Sequence, residues 1–151
     1  MAGTKQFSTF FVDGQFFGVP VQQVQEVIRY QDMTRIPLVP RFIRGLINLR
    51  GQIVVAVDLR RCLDVSDRAA DQLPMNVVIR TVDGAVSLLV DEIGDVLEVE
   101  DTTFEPAPDT LQSTSRELVL GVHKLSNQLL LILDIEKALH KINDETALSH
   151  A

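Results

Sequence analysis

Short apolar runs rich in β-branched residues follow one another along most of the chain. They cover residues 7–12, 53–59, 77–79, 86–90 and 129–133. Turn-forming pairs separate these runs at Asp13-Gly14, Arg50-Gly51, Asp83-Gly84 and Ser126-Asn127. Because aspartate and glycine tolerate the positive φ of a tight turn, the pattern predicts short strands joined by hairpins. The fold class that it indicates is mainly β.

Two short helices are expected between the strands. Pro20 suits the first position of a helix, and a helix beginning there would include Val24 and Ile28. Asp134 is a suitable cap for a C-terminal helix that continues through Ile142. Three other segments are interpreted as irregular: a linker at 65–74, a loop at 102–115 and a loose tail at 140–151.

An internal repeat is the most informative feature of the sequence. Residues 45–63 align without a gap with residues 121–139, and residues 17–27 resemble residues 86–96 more weakly. The repeat predicts two similar β subdomains, at 14–64 and 73–139, within a single domain of residues 1–151. Each unit is marginal alone, so the two should bury surface against each other, and their terminal strands are open to exchange. Closing each sheet into a barrel would remove exposed edges.

Length and composition support one globular domain and narrow the class of partner. The chain has 151 residues, of which 46% are hydrophobic, and a net charge of -7. An acidic chain is a poor general binder of nucleic acid, because phosphates require a basic face. Cys62 is the single cysteine and is interpreted as a small buried hydrophobe. With no signal-like N-terminus and no long apolar run, a cytoplasmic protein without direct membrane insertion is expected.

Candidate catalytic groups do not form a recognisable site. His123, His140 and His150 lack metal-ligand spacing and are interpreted as surface or tail residues, so no metal or cofactor is expected. Asp58 and Asp134 recur at equivalent repeat positions. They could form a catalytic pair, but capping of the following turn or helix explains both copies and is favoured. An acidic stretch is formed by Asp91, Glu92, Glu98, Glu100 and Asp101, and it is interpreted as a solvated face, with half of a charge-complementary contact as the alternative.

Three arginines, Arg41, Arg44 and Arg50, cluster around the first copy of the repeat in an otherwise acidic chain. The second copy has Ser126 where the first has Arg50. A hairpin tip that differs between two structural copies suggests a specific contact, for which the planar guanidinium is well suited. Solubilising surface arginines are the simpler alternative.

The sequence resembles the CheW family over nearly its whole length. The first half of the resemblance rests on segments 24–27, 34–37, 40–51 and 57–60, and the second on 90–91, 95–97, 106–108 and 131–137. The resemblance implies two five-stranded SH3-like barrels around a shared interior, with short helices. It also implies a non-catalytic adaptor that couples the regulatory domain of a CheA-type histidine kinase to the cytoplasmic hairpin tips of chemoreceptors, recruited to membrane-associated receptor arrays.

The resemblance also implies which residues contact partners. The positions that match are Val24, Glu26, Gly45, Arg50, Gly51, Val77 and Val96. Arg50 is expected to be a polar anchor, and the groove between the barrels is expected to receive the receptor tip. Val55 departs from a usual proline and Ser87 from a common glycine, which leaves the identity of the partners open.

Several alternatives remain at this point. Within the same class, the adaptor could serve pilus-based motility or a second-messenger pathway, or the chain could be part of a kinase or a receiver fusion. An enzyme with an unfamiliar site would have a deep polar cleft with converging titratable groups. A small-molecule-binding β-barrel would instead have an enclosed cavity.

Overall fold

Eleven strands make up most of the computed structural model, which describes residues 3–111 and 113–140. The strands are β1 (Thr4–Val12), β2 (Gln15–Pro20), β3 (Val24–Ile28), β4 (Ile43–Leu49), β5 (Gln52–Asp58), β6 (Met75–Thr81), β7 (Gly84–Val90), β8 (Glu92–Glu100), β9 (Phe104–Glu105), β10 (Val119–Lys124) and β11 (Leu129–Leu133). The α-helices are α1 (Leu59–Cys62), α2 (Ser113–Glu117) and a C-terminal helix that covers residues 135–140 of the described part. The prediction of a mainly β fold is confirmed.

The strands form two sheets with matching strand orders. One sheet has six strands in the order β8-β1-β2-β11-β10-β9, and the other has five in the order β3-β6-β7-β5-β4. If the two-residue strand β9 is set aside, each sheet is an edge strand (β8 or β3) beside a hairpin (β1-β2 or β6-β7), which pairs in parallel with a second hairpin (β10-β11 or β4-β5). The two sheets are therefore copies of one five-stranded arrangement.

Each sheet combines strands from both repeats. The first hairpin of each repeat pairs with the later strands of the other repeat, so β2 lies in the six-stranded sheet while β6 and β7 lie in the five-stranded sheet. The contiguous boundaries 14–64 and 73–139 therefore do not coincide with the sheets, and each subdomain of the folded protein is one sheet together with the helix that follows its last strand. The reason is that β2 has its parallel partner in β11, and β7 has its parallel partner in β5.

The repeat predicted from the sequence corresponds to equivalent structure in both copies. In each copy, an antiparallel hairpin ends at an aspartate that begins a helix. The ladder register shifts at the same place, between Ile43 and Gly45 in one copy and between Val119 and Gly121 in the other. The aspartates cap as expected: Asp58 accepts from the Arg60 backbone N–H at 3.0 Å, and Asp134 from that of Lys137 at 3.1 Å.

The tight turns follow the predicted chemistry, but the helix expected at Pro20 is shorter than predicted. Asp13 and Gly14 have φ of 50° and 75°, and Arg50 and Gly51 have φ of 51° and 89°. After Pro20, a single 3-10 turn at Val21–Gln23 gives way to strand β3. The helically spaced residues Val24 and Ile28 belong to an extended segment that pairs with β6, so the helix prediction was wrong beyond this turn. The predicted helix end at Ile142 and the rest of the tail lie outside the described residues.

Three apolar clusters fill the molecule. The largest takes buried side chains from both sheets, including Phe10, Phe17, Val77 and Ile79, and forms a core shared by the two subdomains. Smaller clusters fill the interior of each curled sheet, one around Phe7 and Leu130 and one that includes Ile47 and Val78. Cys62 belongs to the shared core, as the sequence predicted.

Candidate partner-binding surface

An ion pair closes the five-stranded sheet on itself. Strands β3 and β4 are its two edges, yet the guanidinium of Arg50, after β4, donates to the carboxylate of Glu26 on β3. The sheet is thus curled into a barrel, and two residues assigned to the site by resemblance are brought into contact. Arg50 remains 75% exposed, whereas Glu26 is 21% exposed. The pair therefore presents a cation to solvent above a mostly covered carboxylate.

The hairpin that carries Arg50 has a fixed geometry. Arg50 and Gly51 are the turn residues, and the side-chain oxygen of Asn48 accepts the Gly51 backbone N–H at 2.9 Å. A left-handed φ of 89° favours glycine at position 51. The second copy of the repeat lacks both Asn48 and Arg50 equivalents, so this tip is specific to the first copy.

Gly45 permits a close backbone contact beside this hairpin. The backbone of Thr34 forms two hydrogen bonds with Leu46, each of 2.8 Å. A Cβ added at Gly45 would lie 2.5 Å from the Thr34 carbonyl oxygen, closer than any side chain tolerates. Gly45 thus allows residues near Thr34 to pack along the edge strand β4 and extend the surface around Arg50.

The three valines assigned to the site lie in different environments. Val77 is fully buried in the shared core, so it supports the surface from below and does not present one itself. Val24 is half-buried and packs against the same core. Val96 is 59% exposed on β8, which belongs to the other sheet. Glu26, Arg50, Gly45 and Gly51 therefore lie together on the five-stranded barrel, whereas Val96 lies on the six-stranded sheet.

A cleft of about 660 Å³ opens where the two subdomains meet. One wall is the β6-β7 hairpin, with Val82, Asp83 and Val86, and the other is the C-terminal helix, with Ile135 and Leu139. Val82, at the hairpin tip, is fully exposed. The apolar side chains on both walls give this cleft a surface suited to another protein segment.

A buried ionic network, which the sequence did not reveal, lies near the junction of the subdomains. Arg68 is 4% exposed and sits between Asp58, at 0%, and Asp91, at 7%. Its Nη1 donates to both Asp58 carboxylate oxygens at 3.0 Å, and its Nε lies 2.8 Å from Asp91 Oδ1. Arg60 donates to Asp91 at 2.9 and 2.7 Å, and Arg44 donates to Asp58 at 3.0 Å.

Asp91 connects the two sheets through this network. It lies between β7 and β8, which belong to different sheets, and it accepts the Asp13 backbone N–H of the β1-β2 turn at 2.7 Å. Burial alone would raise the pKa of Asp91, but hydrogen bonds from Arg60 and Asp13 and the charge of Arg68 bring that pKa below its ordinary value. The same bond to Asp91 raises the pKa of Arg60. The expectation that residue 91 belongs to a solvated face was wrong.

His123 also differs from its expected surface position. It is 2% exposed, lies between the rings of Phe7 and Phe104, and has its Nδ1 2.7 Å from the Thr103 hydroxyl oxygen. Burial lowers the pKa of this imidazole. Its ladder partner is Leu130 of β11, which is fully buried, and cross-strand partners share one face of a sheet, so this pairing turns the imidazole inward.

Neither a metal-binding cluster nor a membrane-spanning helix occurs among the residues that the structure describes. Within 3–111 and 113–140, no group of three or more histidine, cysteine, aspartate or glutamate side chains could hold a metal ion. In the same ranges, no helix has the length and apolar character needed to cross a membrane.

Comparison with known proteins gives consistent matches across the chain. A family model described as the CheW-like domain matches residues 6–143. Chemotaxis protein CheW of Klebsiella aerogenes is 31% identical over 150 residues, which cover 97% of this chain and 90% of that protein. Chemotaxis protein CheW of Bacillus subtilis is 32% identical over 138 residues, which cover 91% and 88%.

A solved structure agrees with the fold as well. The crystal structure of scaffolding protein TtCheW from Thermoanaerobacter tengcongensis matches with a TM-score of 0.78 and 25% identity, over 87% of this chain and 90% of that one. The similarity thus extends over both subdomains and over the hairpin that carries Arg50. The chain belongs to the CheW family of chemotaxis scaffolding proteins.

Proposed function

We propose that this protein is a non-catalytic adaptor that couples the regulatory domain of a CheA-type histidine kinase to the cytoplasmic hairpin tips of chemoreceptors. The observation that carries the proposal is the open cleft whose walls come from both subdomains of a CheW-family chain. Such a cleft can seat a rod-shaped partner while the outer faces stay available to a second protein. The adaptor would act in receptor arrays at the membrane, where many weak contacts are strengthened by effective concentration.

The receptor contact is assigned to the cleft and the neighbouring Arg50 hairpin. Apolar residues on the two walls, Val82, Val86 and Leu139 among them, suit the apolar face of a helical hairpin. Arg50 would supply a polar anchor, because its guanidinium keeps exposed N–H groups while one nitrogen bonds to Glu26. Glu26 would hold that guanidinium in place and need not touch the partner.

The kinase contact is assigned to the outer edge of the six-stranded sheet. Phe104 and Leu120 are exposed there, at 45% and 59%, next to the two-residue edge strand β9. A short edge strand with exposed apolar side chains suits contact with a similar barrel of the kinase. Signalling would then follow if the kinase contact differs in energy between two kinase states.

Side-chain packing favours the adaptor over a small-molecule-binding barrel. The inside of the six-stranded sheet is filled by Phe7, Phe16, Leu130 and neighbours, and the inside of the five-stranded sheet by Ile47, Val54 and neighbours. A ligand-binding barrel would keep this space open. The same structure suits an adaptor for pilus motility or a second-messenger pathway, since those outputs would use the same surfaces.

The proposal is tested with the full chain and four variants. Arg50→Ala and Val96→Asp alter exposed residues assigned to partner contact, and Leu73→Asp is a matched control because Leu73, at 60%, is as exposed as Val96 at 59%. Val82→Asp alters the cleft. Binding to a kinase regulatory domain and to a receptor tip is measured separately, with circular dichroism as the check of folding.

Arg50→Ala and Val82→Asp should each weaken receptor binding about tenfold. Val96→Asp should weaken binding to either the kinase or the receptor. Leu73→Asp should keep wild-type affinity for both partners. Val24→Asp is a poorer test, because Val24 is half-buried against the core and the change would reduce stability. The proposal fails if folded wild-type protein binds neither partner, or if it turns over a metabolite.

A further inference from the structure

A second cleft, of about 400 Å³, shares no lining residue with the cleft assigned to the receptor. It lies between the segment before β4 and helix α1, and four of the chain's 14 lysine and arginine residues line it. They are Arg35, Arg41, Arg44 and Arg61. Ile36 and Val39 add an apolar part to the same lining. In a chain with a net charge of -7, this is a local concentration of positive charge.

Two of these arginines can interact with a ligand at small cost. Arg35 is exposed and forms no ion pair with another described residue. Arg41 pairs with Asp64 at 3.3 Å, where the two side chains are 58% and 61% exposed. Exposed ion pairs of this kind contribute little to stability, so a ligand carboxylate can replace Asp64. Arg61 is 24% exposed and donates to Asp67 at 3.0 Å and to the Arg41 carbonyl oxygen at 2.6 Å, so it adds fixed positive charge to the cleft.

Arg44 can also be released, because its partner is already neutralised. Asp58 is fully buried, and Arg68 donates to both of its carboxylate oxygens at 3.0 Å. Asp58 further accepts the Arg60 backbone N–H. If Arg44 turned into the cleft, Asp58 would keep a buried cation and its capping bond, so no uncompensated charge would remain.

We propose that this basic cleft binds an acidic segment of a partner protein, with glutamate or aspartate side chains on the arginines and an apolar side chain against Ile36 and Val39. The size of the cleft suits a few residues. Asp64 and Asp67, both exposed, flank the arginines. These carboxylates and the net negative charge would repel an extended polyanion, such as an anionic membrane or a nucleic acid, more than a short segment.

The test uses a fluorescein-labelled peptide of glutamate pairs separated by leucines, followed by fluorescence anisotropy at low and physiological salt. A glutamine version of the peptide measures binding without charge, and vesicles containing phosphatidylserine measure membrane binding. The variant Arg35→Glu/Arg41→Glu reverses two charges in the cleft. Arg116→Glu is the matched control, because Arg116 is also exposed and pairs with an exposed aspartate, at 3.5 Å, outside the cleft.

The acidic peptide should bind the wild type and Arg116→Glu equally, and the double variant should bind at least tenfold more weakly, with Arg35→Gln/Arg41→Gln in between. The inference is overturned if all variants bind the acidic peptide with equal affinity, or if the glutamine peptide binds as tightly as the acidic one. It is also overturned if the wild type does not bind the acidic peptide, or if it binds the vesicles and not the peptide. Kinase and receptor binding are measured on the same samples. If they persist without peptide binding, this inference fails while the adaptor function stands.

Discussion

Replacing Arg68 with alanine would remove the cation that lies between two buried carboxylates. The Arg68 side chain is 4% exposed, and it contacts Asp58, at 0%, and Asp91, at 7%. It also donates to the Leu89 carbonyl oxygen at 3.2 Å, so the change removes a hydrogen bond to β7 as well. Since residues 65–74 link the two repeats, the variant also tests whether this segment is anchored by its one buried arginine.

The size of the effect follows from what remains after the substitution. Removing one partner of a buried ion pair costs about 3–5 kcal/mol, mainly because the other charge is left uncompensated. Here Asp58 keeps Arg44, and Asp91 keeps Arg60, so each carboxylate retains one cation. We therefore expect a loss at the lower end of that range, about 3 kcal/mol.

Urea unfolding at pH 7, followed by far-ultraviolet circular dichroism, measures this loss. With a slope of about 1.5 kcal/mol per molar urea, the midpoint should fall by about 2 M. The control is Arg116→Ala, whose ion pair with Asp109 is exposed and whose loss should cost less than about 1 kcal/mol. If the two variants lose the same small amount, the buried network does not stabilise the fold and the reasoning is refuted.

Two further predictions concern buried polar groups. Because the folded-state pKa of Asp91 is lowered, its charged form stabilises the protein above the unfolded-state pKa of about 3.9, and that contribution is lost as pH falls through the folded-state value. The difference in unfolding free energy between wild type and Asp91→Asn should therefore shrink below about pH 4. Urea unfolding of both proteins between pH 3 and pH 7 measures this difference. A gap between the two urea midpoints that stays constant over this range would contradict the prediction. Ser87→Ala would remove the hydroxyl that donates to the buried Asn76 side-chain oxygen at 2.7 Å. Thermal unfolding should show a loss of about 1–3 kcal/mol in the free energy of unfolding. The control Ser66→Ala changes an exposed serine and should not show this loss.

Features that depend on local chemistry could be predicted from the sequence. The turn at Asp13-Gly14 has the positive φ values that those residue types allow. Asp58 and Asp134 cap the structures that follow them because a short carboxylate reaches the backbone N–H groups of the next turn. The repeat revealed equivalent hairpins, since a hairpin and its cap are specified within one stretch of sequence.

Pairing between distant segments could not be predicted in the same way. Nothing in β2 identifies β11 as its parallel neighbour, because parallel pairing leaves no turn signal between the two strands. Val24 and Ile28 have helical spacing, yet the pairing of β3 with β6 determines their extended conformation. Arg68 and Asp91 stand in polar stretches that resemble solvated surface, and only the packing of the linker over the end of β7 buries them together.

The same long-range pairing has a consequence for how an adaptor of this kind can transmit force. The six-stranded sheet combines β1 and β2 with four strands of the second repeat, and the five-stranded sheet combines β6 and β7 with three strands of the first, so the two repeats cannot separate without breaking strand ladders in both sheets. The Asp58, Arg68 and Asp91 network adds a second constraint near the same junction. Hinge motion requires a few residues that can absorb a large change in φ and ψ, and crossed strands with buried ion pairs oppose such motion. The surfaces around Arg50 and around Leu120 therefore keep a fixed relation to each other, and under the proposed function a displacement at one surface would be passed to the other.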